Sequence, residues 1–146
     1  MENKEWSEGE WYARAARYCA AAEHCGSEVR EKLRQWGYEG DSEGLIERLH
    51  SDGYIDEARY CRAYVHDKVA FQGWGSRKIR MMLRSKGLPA EETEAALQGA
   101  DREIYKGVLE RLAGQKKGYG RDKLLRFLLQ RGFEYAEVAE LLPADD

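Results

Sequence analysis

The chain has 146 residues and a mass of 16.8 kDa, with 24 Lys plus Arg against 27 Asp plus Glu and hence a net charge of −3. That length suits one cooperative unit or a few small modules sharing a core and excludes a large multidomain enzyme; the acidic balance, taken whole, argues against a general nucleic-acid binder. An apolar fraction of 42% can build a core, but 35% charged residues and a mean hydropathy of −0.78 demand a large, wet surface of the kind thin architectures have.

The opening segment, Met1 to Glu10, is acidic rather than charged-then-apolar, and no apolar run approaches the roughly 18 residues of a membrane span. A cytoplasmic protein is therefore expected. Cys19, Cys25 and Cys61 are odd in number and form no CxxC pair, so reduced, mostly buried thiols are expected, with no disulfide framework and no metal or other cofactor.

Two Pro against fifteen Gly, with Gly recurring just after apolar runs, predicts an all-helical chain. The first unit opens on a long helix carrying Ala16-Arg17-Tyr18-Cys19. Its second helix ends at Leu33-Arg34-Gln35-Trp36-Gly37-Tyr38, where Gly can take the left-handed conformation and the apolar residue after it can fold back on the last turn. A third helix is expected over Ser42 to Ser51, capped by Asp41 or Ser42. Asp52 to Glu57 then reads as a turn, with Asp56 as the next N-cap and Ile55 as a hydrophobic staple. The second unit repeats the pattern: Ala58-Arg59-Tyr60-Cys61 in its first helix, Leu83-Arg84-Ser85-Lys86-Gly87-Leu88 closing its second, and a third over Pro89 to Gln98. The junction Gly99 to Arg102 is less apolar, and some hinge bending is expected there. The third unit closes its second helix at Leu128-Leu129-Gln130-Arg131-Gly132-Phe133, and its third helix is expected over Glu134 to Leu142. Val29, Ile79 and Leu124, four residues before the three leucines, continue each buried face. Spacings of 50 and 45 residues between the capping glycines mark stacked helical units.

No constellation for catalysis appears. His24, His50 and His66 are scattered, and His24-Cys25 is too small a set for a metal, reading instead as a helix C-terminus. Gly73-Trp74-Gly75 and Gly118-Tyr119-Gly120 lack the strand and third glycine of a phosphate loop and are expected as turns before the second helices, each holding an aromatic that packs over its unit. The remaining aromatics, among them Trp11, Tyr12, Tyr18, Trp36, Tyr60 and Tyr64, are expected in packing. Base stacking is the lesser reading, because no flat sheet is predicted to serve as a platform. Cys19 and Cys61, at matching positions, are expected as small core residues.

Charge is segregated. Met1 to Asp56 carries seven basic and thirteen acidic residues, Arg59 to Lys86 eight basic against one acidic, and Arg102 to Arg131 nine against three. Screening at physiological salt acts over about 8 Å, so separate faces are felt separately. In the second unit Arg77, Arg80 and Arg84 are expected along one side of a helix, opposite Ile79, Met82 and Leu83. In the third, Lys123, Arg126 and Gln130 form a comparable row flanked by Lys116, Lys117, Arg121 and Arg131. With Trp74 and Tyr119 nearby, these rows point to phosphates or to an acidic protein groove, by backbone contact rather than base readout.

Leu49 to Lys68, which includes Asp52-Gly53-Tyr54-Ile55-Asp56-Glu57-Ala58-Arg59-Tyr60, together with Trp74-Gly75-Ser76-Arg77-Lys78-Ile79, Leu83 and Lys86-Gly87-Leu88, resembles the signature of the RecX family, regulators of the bacterial RecA recombinase. The likeness covers nearly the whole chain and is strongest in the second unit. It implies an all-α, elongated, curved array of three tandem three-helix repeats, here 1–55, 56–100 and 101–146, in a monomeric protein. It implies a non-enzymatic regulator that lodges in the groove of the RecA filament on single-stranded DNA and hinders ATP hydrolysis, strand exchange and co-protease action. Arg59, Arg62 and Lys68 match the basic positions of the family motif, and Arg77, Lys78, Arg80, Arg84 and Lys86 belong to the adjoining basic helix. Lys116, Lys117, Arg121, Lys123, Arg126 and Arg131 extend the candidate surface. The acidic net charge departs from many relatives and implies weak or no binding to free DNA. The alternatives are a nucleic-acid binder independent of a recombinase, and a helical-repeat adaptor for an unrelated protein.

Overall fold

The computed structural model describes residues 5–144, and among these the regular secondary structure is entirely helical. In chain order the helices are α1 (Glu8–Ala21), α2 (Gly26–Trp36), α3 (Ser42–Ser51), α4 (Glu57–Ala70), α5 (Ser76–Ser85), α6 (Ala90–Gln98), α7 (Arg102–Gln115), α8 (Arg121–Gln130) and α9 (Tyr135–Val138), the last continuing into a 3₁₀ turn, Ala139–Leu141. The backbone divides into two compact units, Met1–Tyr60 and Cys61–Asp146.

The first unit is built on α1 to α3. A reciprocal pair of bonds starts α1: the Glu10 amide donates to Ser7 Oγ at 3.1 Å and the Ser7 amide to Glu10 Oε1 at 2.8 Å. The Trp6 and Trp11 rings meet across this start, 4.9 Å apart, as a staple that fixes the entry of the chain. Ala15 and Ala16 give α1 a thin side, which packs with Val29 and Leu33 of α2 and Leu45, Ile46 and Leu49 of α3 around one core; Trp11, Tyr12, Tyr18 and Trp36 close over it. As expected, Asp41 caps α3, accepting from the Gly44 amide at 3.0 Å.

The glycine stops form as the repeat predicts. Gly37, Gly87 and Gly132 take φ of 87°, 85° and 98°. In each case the amide after the glycine reaches back to the carbonyl of the leucine four residues before the glycine: Tyr38 to Leu33 at 2.9 Å, Leu88 to Leu83 at 3.1 Å, Phe133 to Leu128 at 3.2 Å. Each glycine amide bonds one turn back as well, completing a Schellman cap. The three leucines are fully buried, and Tyr38, Leu88 and Phe133 fold in over them. Gly53 ends α3 in the same way, with φ 82° and Tyr54 donating to Leu49 at 2.8 Å.

Within the second unit, the end of α8 meets the start of α5. The Gly75 amide donates to the Arg131 carbonyl at 2.8 Å and the Arg77 amide to the Gly132 carbonyl at 2.9 Å, so free donors of one helix start are satisfied at another helix end. The approach needs glycine twice. A Cβ on Gly75 would lie 2.3 Å from the Phe133 nitrogen, and one on Gly132 would lie 2.4 Å from Lys78 Cβ and 2.7 Å from its nitrogen. Tyr105 of α7 ties in α9 and α5, donating to Glu137 at 2.8 Å and accepting from the Ser76 amide at 3.4 Å. Burial, reinforced by Glu137, pushes its phenol well above the ordinary tyrosine range and keeps it a donor.

Two expectations need correction. The third helix of the last repeat is not one helix over Glu134 to Leu142: α9 has four residues and yields to the 3₁₀ turn, and Leu142 is extended at φ −79°, ψ 141°. Pro143 explains the stop, since the residue before a proline is driven out of the helical region. His24-Cys25 is not a helix C-terminus but the start of α2, where Cys25 is the N-cap and its amide donates to Glu28 Oε1 at 3.2 Å.

Cys19, Cys25 and Cys61 are free and buried. Burial, with Glu23 adding to it, pushes the Cys19 thiol up to about 11. Because the thiolate is the reactive form, the native protein at pH 8 is expected to show no rapidly reacting thiol toward Ellman's reagent and to release three on unfolding in guanidinium; one thiol reacting natively at the rate of free cysteine would contradict this packing.

Candidate functional site

The fourteen basic candidates from the sequence fall into distinct environments. Arg59, Arg77, Arg80, Arg121 and Arg131 are engaged within the fold. In the first unit, Arg59 pairs with Glu23 at 2.6 Å and donates to the carbonyls of Gly53 and Tyr54 at 3.2 and 3.3 Å, clamping the turn before α4. Arg80 binds Glu94 of α6 through two nitrogens, at 2.6 and 3.1 Å, with Glu134 at 3.7 Å on its other side. The Glu94 carboxylate holds this guanidinium above its ordinary pKa. Arg77 donates to the Leu129 carbonyl at 2.8 Å, Arg121 to Pro143 O at 3.0 Å and Tyr135 Oη at 3.4 Å, and Arg131 to Gln72 O at 3.5 Å. Arg77, Arg80 and Arg84 therefore lie on one helix without forming a uniform cationic stripe: two of the three hold neighbouring elements in place.

Arg62, Arg84, Lys117 and Arg126 project from the surface with no partner among the described residues. Lys86 is the half-buried C-cap of α5.

Lys68, Lys78, Lys116 and Lys123 sit on aromatic rings. Lys68 and Lys78 place their ammonium groups 4.8 and 4.4 Å from the centre of the Trp74 ring, and Tyr64 meets that ring edge-on at 6.4 Å. Lys123 lies 4.4 Å from the Tyr119 ring, Lys116 lies 5.7 Å from it and 4.8 Å from the Phe127 ring, and Phe127 stands edge-on to Tyr119 at 6.4 Å. Each such contact is worth about 0.5–1 kcal/mol at an exposed site. Among the described residues no carboxylate pairs with any of these four lysines.

The two clusters occupy equivalent positions. The N-caps of α2, α5 and α8 are Cys25, Gly75 and Gly120, so the residues just before them are His24, Trp74 and Tyr119. Four residues beyond each ring stand Glu28, Lys78 and Lys123, one turn into the helix and facing back to it. In the first repeat the ring is sealed: His24 stacks on Tyr18 at 3.8 Å with an 11° tilt, and its Nδ1 lies 3.1 Å from Glu28. In the second and third the ring is half-exposed and bears cations. The spacing was readable, as an aromatic before each Gly and a Lys four residues on, but the ring–lysine contacts of Lys68 and Lys116, which come from the preceding helix and its end, required the fold.

Among the described residues no three His, Cys, Asp or Glu gather to hold a metal, and no helix is long and apolar enough to cross a membrane. Successive three-helix sets with a glycine-capped middle helix, a charge-segregated surface and paired aromatic–lysine turns define a tandem three-helix-repeat protein. Comparison with known proteins agrees: residues 56–97 match the family described as RecX, second three-helix domain, and residues 12–49 match RecX, first three-helix domain. Relatives described as regulatory protein RecX include one from Herminiimonas arsenicoxydans, 32% identical over 92% of this chain and 91% of its own, and one from Leptothrix cholodnii, 34% identical over 91% and 87%. The chain belongs to the RecX family of regulatory proteins. The fold is shared with the crystal structure of RecX from Lactobacillus salivarius, at a TM-score of 0.74 and 22% identity over 91% of this chain and 92% of that one.

Proposed function

We propose that this protein binds the RecA filament on single-stranded DNA in the cytoplasm and restrains its ATP hydrolysis, strand exchange and co-protease action, without catalysis of its own. The observation that carries this reading is the segregation of charge: the first unit is acid-rich and its ring position is paired with Glu28, whereas the second unit projects Arg62, Arg84, Lys117 and Arg126 and sets lysines on Trp74 and Tyr119. A filament offers both signs, phosphates and protein, to such a chain. In this reading the repeats 1–55, 56–100 and 101–146 act in a monomer, the last two binding DNA phosphates or acidic recombinase surface and the first binding basic recombinase surface.

The test is RecA ATP hydrolysis on single-stranded DNA with added protein, beside binding to the same DNA alone. Inhibition is expected, and reversing Arg62, Arg84, Lys117 and Arg126 to Glu should reduce it at least tenfold in the concentration required. These four are the informative set because they leave the fold's own ion pairs intact; reversing Arg80 would set three carboxylates together. Unchanged inhibition by the fourfold variant would refute the assignment of the face. Tight binding to bare DNA with a steep salt slope and no effect on RecA would favour a nucleic-acid binder that acts independently of a recombinase.

A further inference from the structure

We propose that Lys68–Trp74–Lys78 and Lys116–Tyr119–Lys123 are two clamps that each take one nucleotide of single-stranded DNA, the ring receiving a base and the lysines the flanking phosphates. The proposal rests on the reading that the second unit faces DNA, and it goes beyond phosphate contact to contact with the bases themselves. The two rings are half-exposed at equivalent turns, each with a lysine at 4.4 Å from the following helix; Lys68 of α4 adds a second at 4.8 Å from Trp74, and Lys116, the C-cap of α7, lies between Phe127 at 4.8 Å and Tyr119 at 5.7 Å. A base stacked on an aromatic face is held more strongly than a single ammonium at an exposed face. A strand can therefore displace the lysines from the rings, and the displaced ammonium groups lose nothing if they turn to its phosphates. No carboxylate among the described residues competes for them.

The first clamp is held firmly. Trp74 is followed by Gly75, whose amide is bonded to Arg131 O, and the Lys78 backbone rests against Gly132. Ring and lysine are thus set by the α5–α8 junction and not by a loose loop. Such a clamp takes any base, because every base has a π-face, and it refuses a duplex, whose bases are already stacked. The first repeat, with His24 stacked on Tyr18 and Glu28 where a lysine would stand, has no clamp.

The experiment follows the Trp74 indole N–H resonance of the full chain, assigned by its loss in Trp74→Phe, during titration with oligo(dT) at low salt. An upfield shift is expected with oligo(dT), but not with an abasic strand of equal length or with duplex DNA. Lys68→Gln with Lys78→Gln should keep the shift at saturation while lowering the log–log salt slope of binding by about 1.4, two phosphates' worth on a single strand. No shift with oligo(dT), or an equal shift with the abasic strand, overturns the clamp. If the shift is absent while RecA ATPase is still inhibited, the clamp alone has failed; if the shift appears while ATPase is untouched, the filament reading has failed and the clamp stands.

Discussion

Gly132→Ala is expected to destabilise the protein by about 3 kcal/mol, roughly twice the cost of the same change at Gly37 or Gly87. All three glycines end a second helix at positive φ, between 85° and 98°, and forcing alanine into that region costs on the order of 1–2 kcal/mol. A methyl at Gly37 or Gly87 meets nothing within 4 Å, so strain is its whole cost. At Gly132 it would lie 2.4 Å from Lys78 Cβ and 2.7 Å from Lys78 N, and the chain must move there because backbone cannot step aside as a side-chain tip can. Overpacking of this kind adds about 1–3 kcal/mol. Gly75→Ala isolates that part: its φ is not among the positive values, yet its Cβ would lie 2.3 to 2.5 Å from the backbone of Gly132 and Phe133. Urea denaturation of the four variants measures the series. Equal midpoints for Gly132→Ala and Gly87→Ala would mean that the end of α8 does not dock on the start of α5.

Much of this architecture is legible in the sequence because the capping signal is local. Leu, then Gly four residues on, then an apolar residue specifies a helix stop with few competing conformations, and all three occurrences form the cap. Asp41 and Asp56 likewise cap the helices they precede, with Arg59 N–H donating to Asp56 at 3.0 Å. What is not local was not legible. That Gly75 and Gly132 serve one junction depends on residues 57 positions apart meeting, and nothing in either segment names the other. Spacing placed Arg77, Arg80 and Arg84 on one side of a helix but could not tell that Glu94 and Glu134 neutralise the middle one. The same limit applies to Arg59: the motif marks it as a basic position, and only the fold shows it occupied by Glu23 and two carbonyls.

Phe133→Ala is expected to cost about 3–5 kcal/mol, the range for removing a buried aromatic ring from a close-packed site. Phe133 is fully buried, packs edge-on against Tyr105 at 5.5 Å, and is the residue that folds back to close the α8 cap. Its effect should differ in kind from that of Leu88→Ala, the equivalent residue of the preceding cap. Removing Leu88 empties space behind the end of α5, whereas removing Phe133 loosens the segment whose carbonyls hold the Gly75 and Arg77 amides. The Trp74 ring and Lys78 depend on that anchorage. In the absence of any DNA, Phe133→Ala should therefore shift the Trp74 indole resonance and speed hydrogen exchange at the start of α5, while Leu88→Ala should leave both near their native values. If the two variants are equally destabilised but neither moves Trp74, the ring is positioned by Tyr64 and its lysines alone, and the junction contributes stability without shaping the clamp.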